Sequence, residues 1–383
     1  MNVLFVTAYP PVLHMHGGGV RMYHNIRILS QRHSVRVISF VDSDEERELL
    51  KPVRSICDSV TAVRRVPDFR PHWLSLLPFM VREFSTPEMH RAVDEAIRSA
   101  KIDVLHCEYL QMAQFRRRRV FTVLTAHEAL SKNAADAFAR ELDPTEKLRL
   151  FYRWMQMLRY EVTETRRFDR VVTMTKDDAR YLRTYSPGAN IRAIPIGVDT
   201  EEFQPLPEVH DQPLTVLFVG NFRHSPNIEA AQFLVNVIAP RFPEVRFVLP
   251  GSHVPPGLAG ANVIFPGYIA DTRELYLRPN TIVAAPLFSG TGQRVKLLEA
   301  FSMACPVITT TVGAMGFPIE NGIHAVIANN AEEFGKALRA MIASVEYRKR
   351  LGMQARQMML DQFSWDRLAE DFLCVVEEAA VPH

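Results

Sequence analysis

Short apolar runs rich in β-branched and aromatic residues alternate with helical patterns along nearly the whole chain, and midway the alternation begins again. Strands separated by whole helices cannot pair as hairpins; they need crossover connections, which make their sheet parallel. In the first half strands are expected at Val3–Ala8, Val35–Val41, Val104–Cys107, Phe121–Thr125, Val171–Met174 and Arg192–Ile196, with a long helix from about Pro144 to Phe168. The second half opens afresh with a strand at Leu214–Gly220 and a helix at Pro226–Phe242. Strands at Arg246–Leu249, Val263–Phe265, Thr281–Ala285 and Val307–Thr309 follow, then helices at Ala331–Ser344 and Glu346–Gln362. Each half thus starts as strand, turn and helix: "NVLFVTAYPP…GGGV" in one, "LTVLFVGNFRHSPN" in the other. Between them "FQPLPEVHDQPL", Phe203 to Leu214, carries three prolines and no periodicity, and reads as a linker. The expectation is an α/β protein of two doubly wound, Rossmann-like parallel-sheet domains, at 1–205 and 213–363. Such sheets bind ligands at the carboxyl ends of their strands, so two of them on one linker predict a ligand in a central cleft.

A length of 383 residues, 47% hydrophobic and 23% charged, suits two soluble globular domains. The net charge of +2 conceals an asymmetry: residues 1–200 carry 31 Lys and Arg against 24 Asp and Glu, and the remainder 14 against 19. A basic first domain predicts an anionic partner there. The four cysteines, Cys57, Cys107, Cys305 and Cys374, show neither CxxC nor Cys/His ligand spacing, so a reducing compartment without structural zinc is expected. Met1–Pro10 has no basic leader and reads as a strand, and no run of about 18 apolar residues is present to span a membrane. The expected location is the cytoplasm, with a peripheral place at the membrane surface left open.

Gly17-Gly18-Gly19 precedes a helix expected at Val20–Leu29, where glycines allow close backbone approach and helix amides attract an anion. The G-x-G-x-x-G spacing of a nicotinamide site is not met, since Met22 holds the third position; a plain flexible turn is the other reading. Asp42-Ser43-Asp44 matches a D-x-D metal pattern, but three letters in a chain with 43 acids match an exposed loop equally well. His127 follows one expected strand in "VLTAHEAL", and His106 and Glu108 end the strand before it in "VLHCEY". All three therefore belong to the carboxyl edge of the first sheet, as local structure or as chemistry, with Glu128 beside them.

The densest cluster is "SGTGQRVKLLEAFSMACPVITT", Ser289 to Thr310. A strand hands over through a glycine turn at Ser289–Gly292 to a helix expected at Arg294–Cys305, with Arg294 and Lys296 in its first turn. Cations there oppose the helix dipole unless an anion sits on them. A diphosphate satisfies every part: Arg294 grips oxygens in pairs, Lys296 adds a compact charge, and the helix amides complete the nest. Glu299 lies one turn on, where it either pairs with Lys296 or accepts from ribose hydroxyls. A surface ion cluster is the alternative.

With these segments on view, the chain resembles the retaining, GT-B fold glycosyltransferases of family 4 over nearly its whole length, nearest in form to bacterial exopolysaccharide-type members. The likeness is carried by "GGGV", "DVLHCEY", "VLTAHE", "IPIGVDTEEF", "VGNFRHSPNIEAA", "GTGQRVKLLEAFSMACPVITT" and a closing "FSWDRLAEDF". The resemblance implies a nucleotide-diphospho-sugar donor on the second domain, an acceptor on the first, and a last helix, 364–380, that returns to the first. It implies donor contacts from Gly18 and Gly19, from Gly220, Asn221 and Arg223, from Gly290, Thr291 and Gly292, and from Glu299 to the ribose. His127 beside the reacting sugar, with Arg294 and Lys296 at the diphosphate, forms the implied catalytic set; His106 and Glu108 are expected to face the acceptor. Thr291 stands where the family has the first acid of its E-x7-E motif. Asn221 and Pro226 stand where many members have Arg and Lys, so Arg223, Arg294 and Lys296 are expected to supply the positive charge. The implied reaction is transfer with retention, without metal or cofactor, with UDP first among the carriers. Two rivals stay open: a GT-B epimerase or phosphorylase, and a nucleotide-sugar-binding subunit with no activity of its own.

"VRRVPDFRPHWLSLLPFMVREF", Val63 to Phe84, and "FRRRRV", Phe115 to Val120, concentrate much of the first half's charge. Trp73, Leu74, Leu76, Leu77, Phe79 and Met80 lie among Arg65, Arg70 and Arg82. This suits a helix on an anionic lipid surface, or a core helix with exposed arginines. A carbohydrate or lipid-linked acceptor fits. Nucleic acid is not expected, because no stacking-aromatic or groove-reading motif accompanies the arginines.

Overall fold

The computed structural model describes residues 1–13, 17–66, 75–205, 213–269, 271, 273–276, 280–290 and 292–380. The chain divides into two compact units, Met1–Pro195 with the chain from Leu368 onward, and Ile196–Arg367. In the first unit lie β1 (Asn2–Thr7), β2 (Ser34–Val41), β3 (Ser59–Arg64), β4 (Val104–Glu108), β5 (Phe121–Ala126), β6 (Arg170–Thr173) and β7 (Ile191–Ala193). They form one parallel sheet in the order β3-β2-β1-β4-β5-β6-β7. Its longer helices are α1 (Gly17–Ser30), α2 (Pro87–Ala100), α3 (Leu130–Arg140), α4 (Pro144–Arg167) and α5 (Lys176–Tyr185).

The second unit repeats the plan with β8 (Thr215–Leu217), β9 (Arg246–Val248), β10 (Val263–Ile264), β11 (Thr281–Ala285), β12 (Val307–Thr309) and β13 (Val326–Ile327), all parallel in the order β10-β9-β8-β11-β12-β13. Its longer helices are α6 (Ser225–Phe233), α7 (Val295–Ser302), α8 (Ala331–Ala343) and α9 (Val345–Gln362). Helix α10 (Trp365–Glu377) begins in the second unit and continues into the first. In each sheet the strand order reverses once, between β1 and β4 and between β8 and β11. At such a switch point the loops leaving adjacent strands diverge to opposite faces and open a crevice for a ligand.

The central strands are apolar because helices cover both faces: in β1 every residue after Asn2 is buried, and β4, β5, β11 and β12 are buried almost throughout. β3, which the sequence pattern did not announce, is an edge strand whose exposed Ser59, Thr61 and Arg64 break up any apolar run. The helix expected at Pro226–Phe242 divides into α6, a π-helical turn at Leu234–Ile238 and a 3-10 turn at Ala239–Arg241, where Pro240 has no N–H with which to continue a helix. The strand expected at Leu214–Gly220 shortens to β8. That expected at Arg192–Ile196 shortens to β7, and the carbonyls of Ile194 and Pro195 turn instead to Arg21.

The units part at Pro195–Ile196, ahead of the proline-rich stretch, because the residues that follow are bound into the second unit. Ile196 N–H donates to Gln293 Oε1 at 2.6 Å, and a Cβ on Gly197 would fall 2.6 Å from the Trp365 ring. The Phe203 carbonyl accepts from Ser302 Oγ at 2.6 Å and from Arg356 Nη1 at 3.1 Å. Most of the linker read at Phe203–Leu214 lies outside the described residues. All four cysteines are free thiols, and among the described residues no helix is long and apolar enough to cross a membrane.

Candidate functional site

Two constellations stand at the switch points, one in each unit. In the first unit the period-two geometry of β4 sends His106 and Glu108 to the same face. Register then supplies their partner: Glu108 pairs with Thr125 of β5, and His127 is two residues further on. His127 Nε2 donates to Glu108 Oε2 at 2.8 Å, Asn25 Nδ2 from α1 donates to Oε1 at 3.4 Å, and His106 Nε2 lies 3.4 Å from Oε1. His106 Nε2 is also 2.7 Å from Thr125 Oγ1, and its ring stacks on Phe5 at 4.5 Å.

Burial pushes His106 down to about 4 and holds His127 below its ordinary value. Burial alone would raise the Glu108 carboxyl. The surrounding imidazoles, the His127 hydrogen bond and the Arg21 guanidinium hold it net below the usual carboxylate range. An ionised Glu108 facing a neutral imidazole fixes the tautomer: the proton of His127 sits on Nε2, and Nδ1 is left as an acceptor. The Tyr109 ring lies face to face with His127, centroids 3.7 Å apart and planes 6° from parallel. Tyr109 takes a φ of +78°, a strained conformation for a residue with a side chain.

Gly18 completes the arrangement. A Cβ there would fall 1.7 Å from the Tyr109 hydroxyl oxygen and 3.1 Å from His127 Nδ1. The triple glycine is not a loop ahead of a helix, as expected, but the first residues of α1 itself, so what it offers is space rather than unusual φ. Arg21, one turn on and 1% exposed, donates to the carbonyls of Ile194 and Pro195 at 2.7 and 2.8 Å, and burial lowers it to about 10. His106 and Glu108, expected to face the acceptor, are both 0% exposed, and Glu108 is tied to His127. Glu128 accepts from Asn133 Nδ2 at 2.6 Å.

In the second unit β11 ends at the turn foreseen from the sequence, with Gly290 at φ +92° and Gly292 at +77°, both in the region glycine alone enters freely. Thr291 lies outside the described residues. Helix α7 starts at Val295, so Arg294 is its N-cap and not a first-turn residue; the Arg294 side chain makes no cap hydrogen bond. Arg294 Nη2 reaches the Ser289 carbonyl at 3.4 Å. Lys296 is half-buried, its Nζ donating to Asn227 Oδ1 at 2.8 Å and lying 4.3 Å above the Phe218 ring. Burial first, then the Arg294 charge, push the ammonium down to about 7, with Glu299 pulling the other way.

Asn227 Nδ2 in turn donates to the Asn221 carbonyl at 2.8 Å, which ties the loop after β8 to Lys296. Gly220 N–H donates to Pro250 at 3.1 Å, an approach open only because Gly251 lacks a Cβ, which would meet the Gly220 oxygen at 1.6 Å. Asn221 and Arg223 are exposed beside this loop, Arg223 N–H donating to Asn221 Oδ1 at 3.0 Å. Tyr276 O–H donates to Glu299 Oε2 at 3.2 Å, and Ser289 Oγ donates to Glu229 Oε2 at 2.7 Å. Tyr109, Arg21, Asn25, Asn227 and Tyr276 were not singled out from the sequence, because each acts through a residue far along the chain.

The remaining candidates divide. The Asp42 carboxylate is gripped by Arg65, Nε at 2.7 Å, and Ser43 caps the short helix Asp44–Glu48, which is local structure. Among the described residues no three His, Cys, Asp or Glu side chains group as a metal site. Arg70, Trp73 and Leu74 lie outside the described residues. Leu76, Leu77 and Phe79 are exposed, at 64%, 43% and 47%, whereas Val81 and Phe84 are core.

Residues 15–202 match the sequence profile described as Glycosyltransferase Family 4, and residues 213–344 that described as Glycosyl transferases group 1. The chain is 27% identical to D-inositol 3-phosphate glycosyltransferase of Nocardiopsis dassonvillei, over 73% of this chain and 71% of that protein. It is 25% identical to the putative glycosyltransferase EpsD of Bacillus subtilis, over 77% and 84%. Among solved structures it superposes on sucrose-phosphate synthase from Thermosynechococcus elongatus with a TM-score of 0.76 at 17% identity, covering 100% of both chains. On Anabaena HepE in complex with UDP the TM-score is 0.73 at 15% identity, covering 99% of this chain and 100% of that one.

Proposed function

This chain belongs to the family 4 glycosyltransferases and has their GT-B fold, and from that premise we propose a donor, an acceptor class and a mechanism for it. The donor is a nucleotide-diphospho-sugar, with UDP first among the carriers. The acceptor is a hydroxyl of a carbohydrate or lipid-linked molecule, as in the assembly of a polysaccharide. Transfer proceeds with retention, without metal or cofactor. The observation that carries this reading is the pair Arg294 and Lys296 at the start of α7, beside two glycines of positive φ.

A diphosphate seated on Ser289–Gly292 gives each of these groups its counterpart. Arg294 offers a two-pronged donor, the first amides of α7 offer N–H groups, and Lys296 becomes fully protonated as the anion arrives. Glu299 accepts from the ribose hydroxyls, and Asn221 and Arg223 line the loop beside the nucleotide. On the first unit, His127 Nδ1 accepts from a sugar hydroxyl, and Gly18 and Gly19, with no side chains, let an anion approach the start of α1. In the reaction the bond from the anomeric carbon to the diphosphate breaks, the acceptor oxygen bonds to the same face, and its proton passes to the departing phosphate oxygen. No carboxylate base is needed. The protein's part is positioning and stabilising the leaving group's charge.

The UDP reading draws support from Anabaena HepE, solved with UDP and with UDP-glucose. The exposed Leu76, Leu77 and Phe79 support a lipid-linked acceptor met at the inner face of the membrane by an otherwise cytoplasmic enzyme. The test is Arg294→Gln with Lys296→Met, assayed for UDP-sugar turnover and UDP affinity. Each lost contact lowers turnover by about 10²–10³, so the double variant falls below detection; turnover close to wild type refutes the reading.

A further inference from the structure

A second basic constellation lies at the opposite edge of the first unit's sheet, where the transfer reaction has no use for it. Residues 116–120 lead into β5, and His127 follows its far end. Six residues of strand, at about 3.3 Å each, keep the two places roughly 20 Å apart. There an open basin of about 510 Å³ is lined by Arg91, Arg98, Arg117, Arg118 and Arg119, with Ile97 and Val120 between them and Asp94 as the acid among the lining residues.

Fold stability accounts for part of this charge. Arg117 Nε donates to Asp94 Oδ1 at 2.6 Å, and Arg91 pairs with Glu88 at 2.9 Å. Arg98 sits in the last turn of α2, where the helix dipole favours a cation. Arg118 and Arg119 are different. Both are exposed in the turn before β5, and among the described residues neither has an ion-pair partner. Two neighbouring arginines that line one shallow basin with three more repel them and one another within a Debye length, an arrangement that favours an anion over an empty basin. The lining cations are arginines and none is a lysine. The guanidinium fork matches pairs of phosphate oxygens, and its weak hydration makes it the easier cation to bring against them.

We propose that this basin is a phosphate-binding site, occupied by the phosphodiester headgroups of a lipid surface or by a soluble oligophosphate of the same chemistry. It stands independently of the donor site in the second unit.

The full chain and its Arg118→Gln, Arg119→Gln variant are compared in two arms. One is co-sedimentation with vesicles of phosphatidylcholine with and without phosphatidylglycerol, at about 0.05 M and about 0.5 M salt. The other is calorimetric titration with inorganic tripolyphosphate. Both arginines are exposed and, among the described residues, in no ion pair, so the variant keeps the wild-type unfolding midpoint. The wild type binds phosphatidylglycerol vesicles or tripolyphosphate at the lower salt and releases them at the higher. The variant binds about 30-fold more weakly, the combined effect of two basic residues at a lipid surface. Binding to vesicles alone assigns headgroups, and binding to tripolyphosphate alone assigns a soluble ligand. Wild-type protein that binds neither probe, or a variant that binds as well as wild type, overturns the proposal.

Discussion

Glu108 is an ionised carboxylate with no exposed surface, and it is stable there because His127 and Asn25 donate to it and Arg21 lies nearby. The shape of this cluster depends on the absence of a side chain at Gly18. Gly18→Ala drives a methyl group into the Tyr109 hydroxyl, displaces Tyr109 and tilts His127, destabilising the fold by about 1–3 kcal/mol and lowering turnover further than stability explains. Tyr109→Phe added to Gly18→Ala removes the nearest clash and recovers part of both losses in urea unfolding and turnover assays. Equal damage in the single and double variants contradicts this packing. His106 gives a pH prediction. Its imidazole falls from the ordinary 6.5 to about 4 in the fold, so the unfolded chain binds the proton more readily. Stability is therefore lost as pH falls from about 6.5 to about 4, by roughly 3 kcal/mol. Glu161, pushed up to about 7 by burial, works in the opposite direction, so the comparison must be with His106→Asn. Wild type should lose ground to that variant across the window; parallel profiles would show that His106 is not the buried neutral group described.

At the next level the packing of α9 behind α7 supports the helix that carries Lys296 and Glu299. A Cβ at Gly352 would lie 1.9 Å from the Ala304 carbonyl oxygen, backbone that cannot move without shifting the segment after α7. Gly352→Ala should cost about 1–3 kcal/mol in urea unfolding. Gly335→Ala in α8 meets only the end of Arg339 at 3.6 Å and should gain about 0.5–1 kcal/mol from helix propensity. The opposite ranking would show that α9 does not approach so closely. The elements that position the site were the legible ones, for a physical reason. β1, β5 and β11 are covered on both faces and so read as unbroken apolar runs, and the glycine turn after β11 announces itself by composition. β3 was illegible because an edge strand needs no apolar run, and the break after α6 because the apolar pattern continues through it. His127, Arg294 and Lys296 could be picked out by their positions at strand and helix ends. Their supports could not: Lys296 meets Asn227 across 69 residues, and Arg21 meets Ile194 across 173.

Across the whole chain one plan is used twice, a doubly wound parallel sheet with a cluster of candidate residues at the reversal of strand order. The basic balance of residues 1–200 is partly explained by the arginine basin, and the acidic second half still keeps Arg294 and Lys296 at the start of one helix. Lys296 makes nucleotide binding there measurable without an acceptor. With its ammonium lowered to about 7, a diphosphate that settles on the turn must raise it again. Binding therefore takes up a proton above pH 7, and affinity falls as pH rises beyond it, by up to about tenfold per unit. The measurement is calorimetric titration with UDP near pH 8 in buffers of different ionisation enthalpy, for wild type and Lys296→Met. Proton uptake by the wild type that disappears in the variant is the predicted result. UDP binding with no proton uptake and no change in affinity between pH 7 and 9 would contradict a diphosphate seated at Arg294 and Lys296.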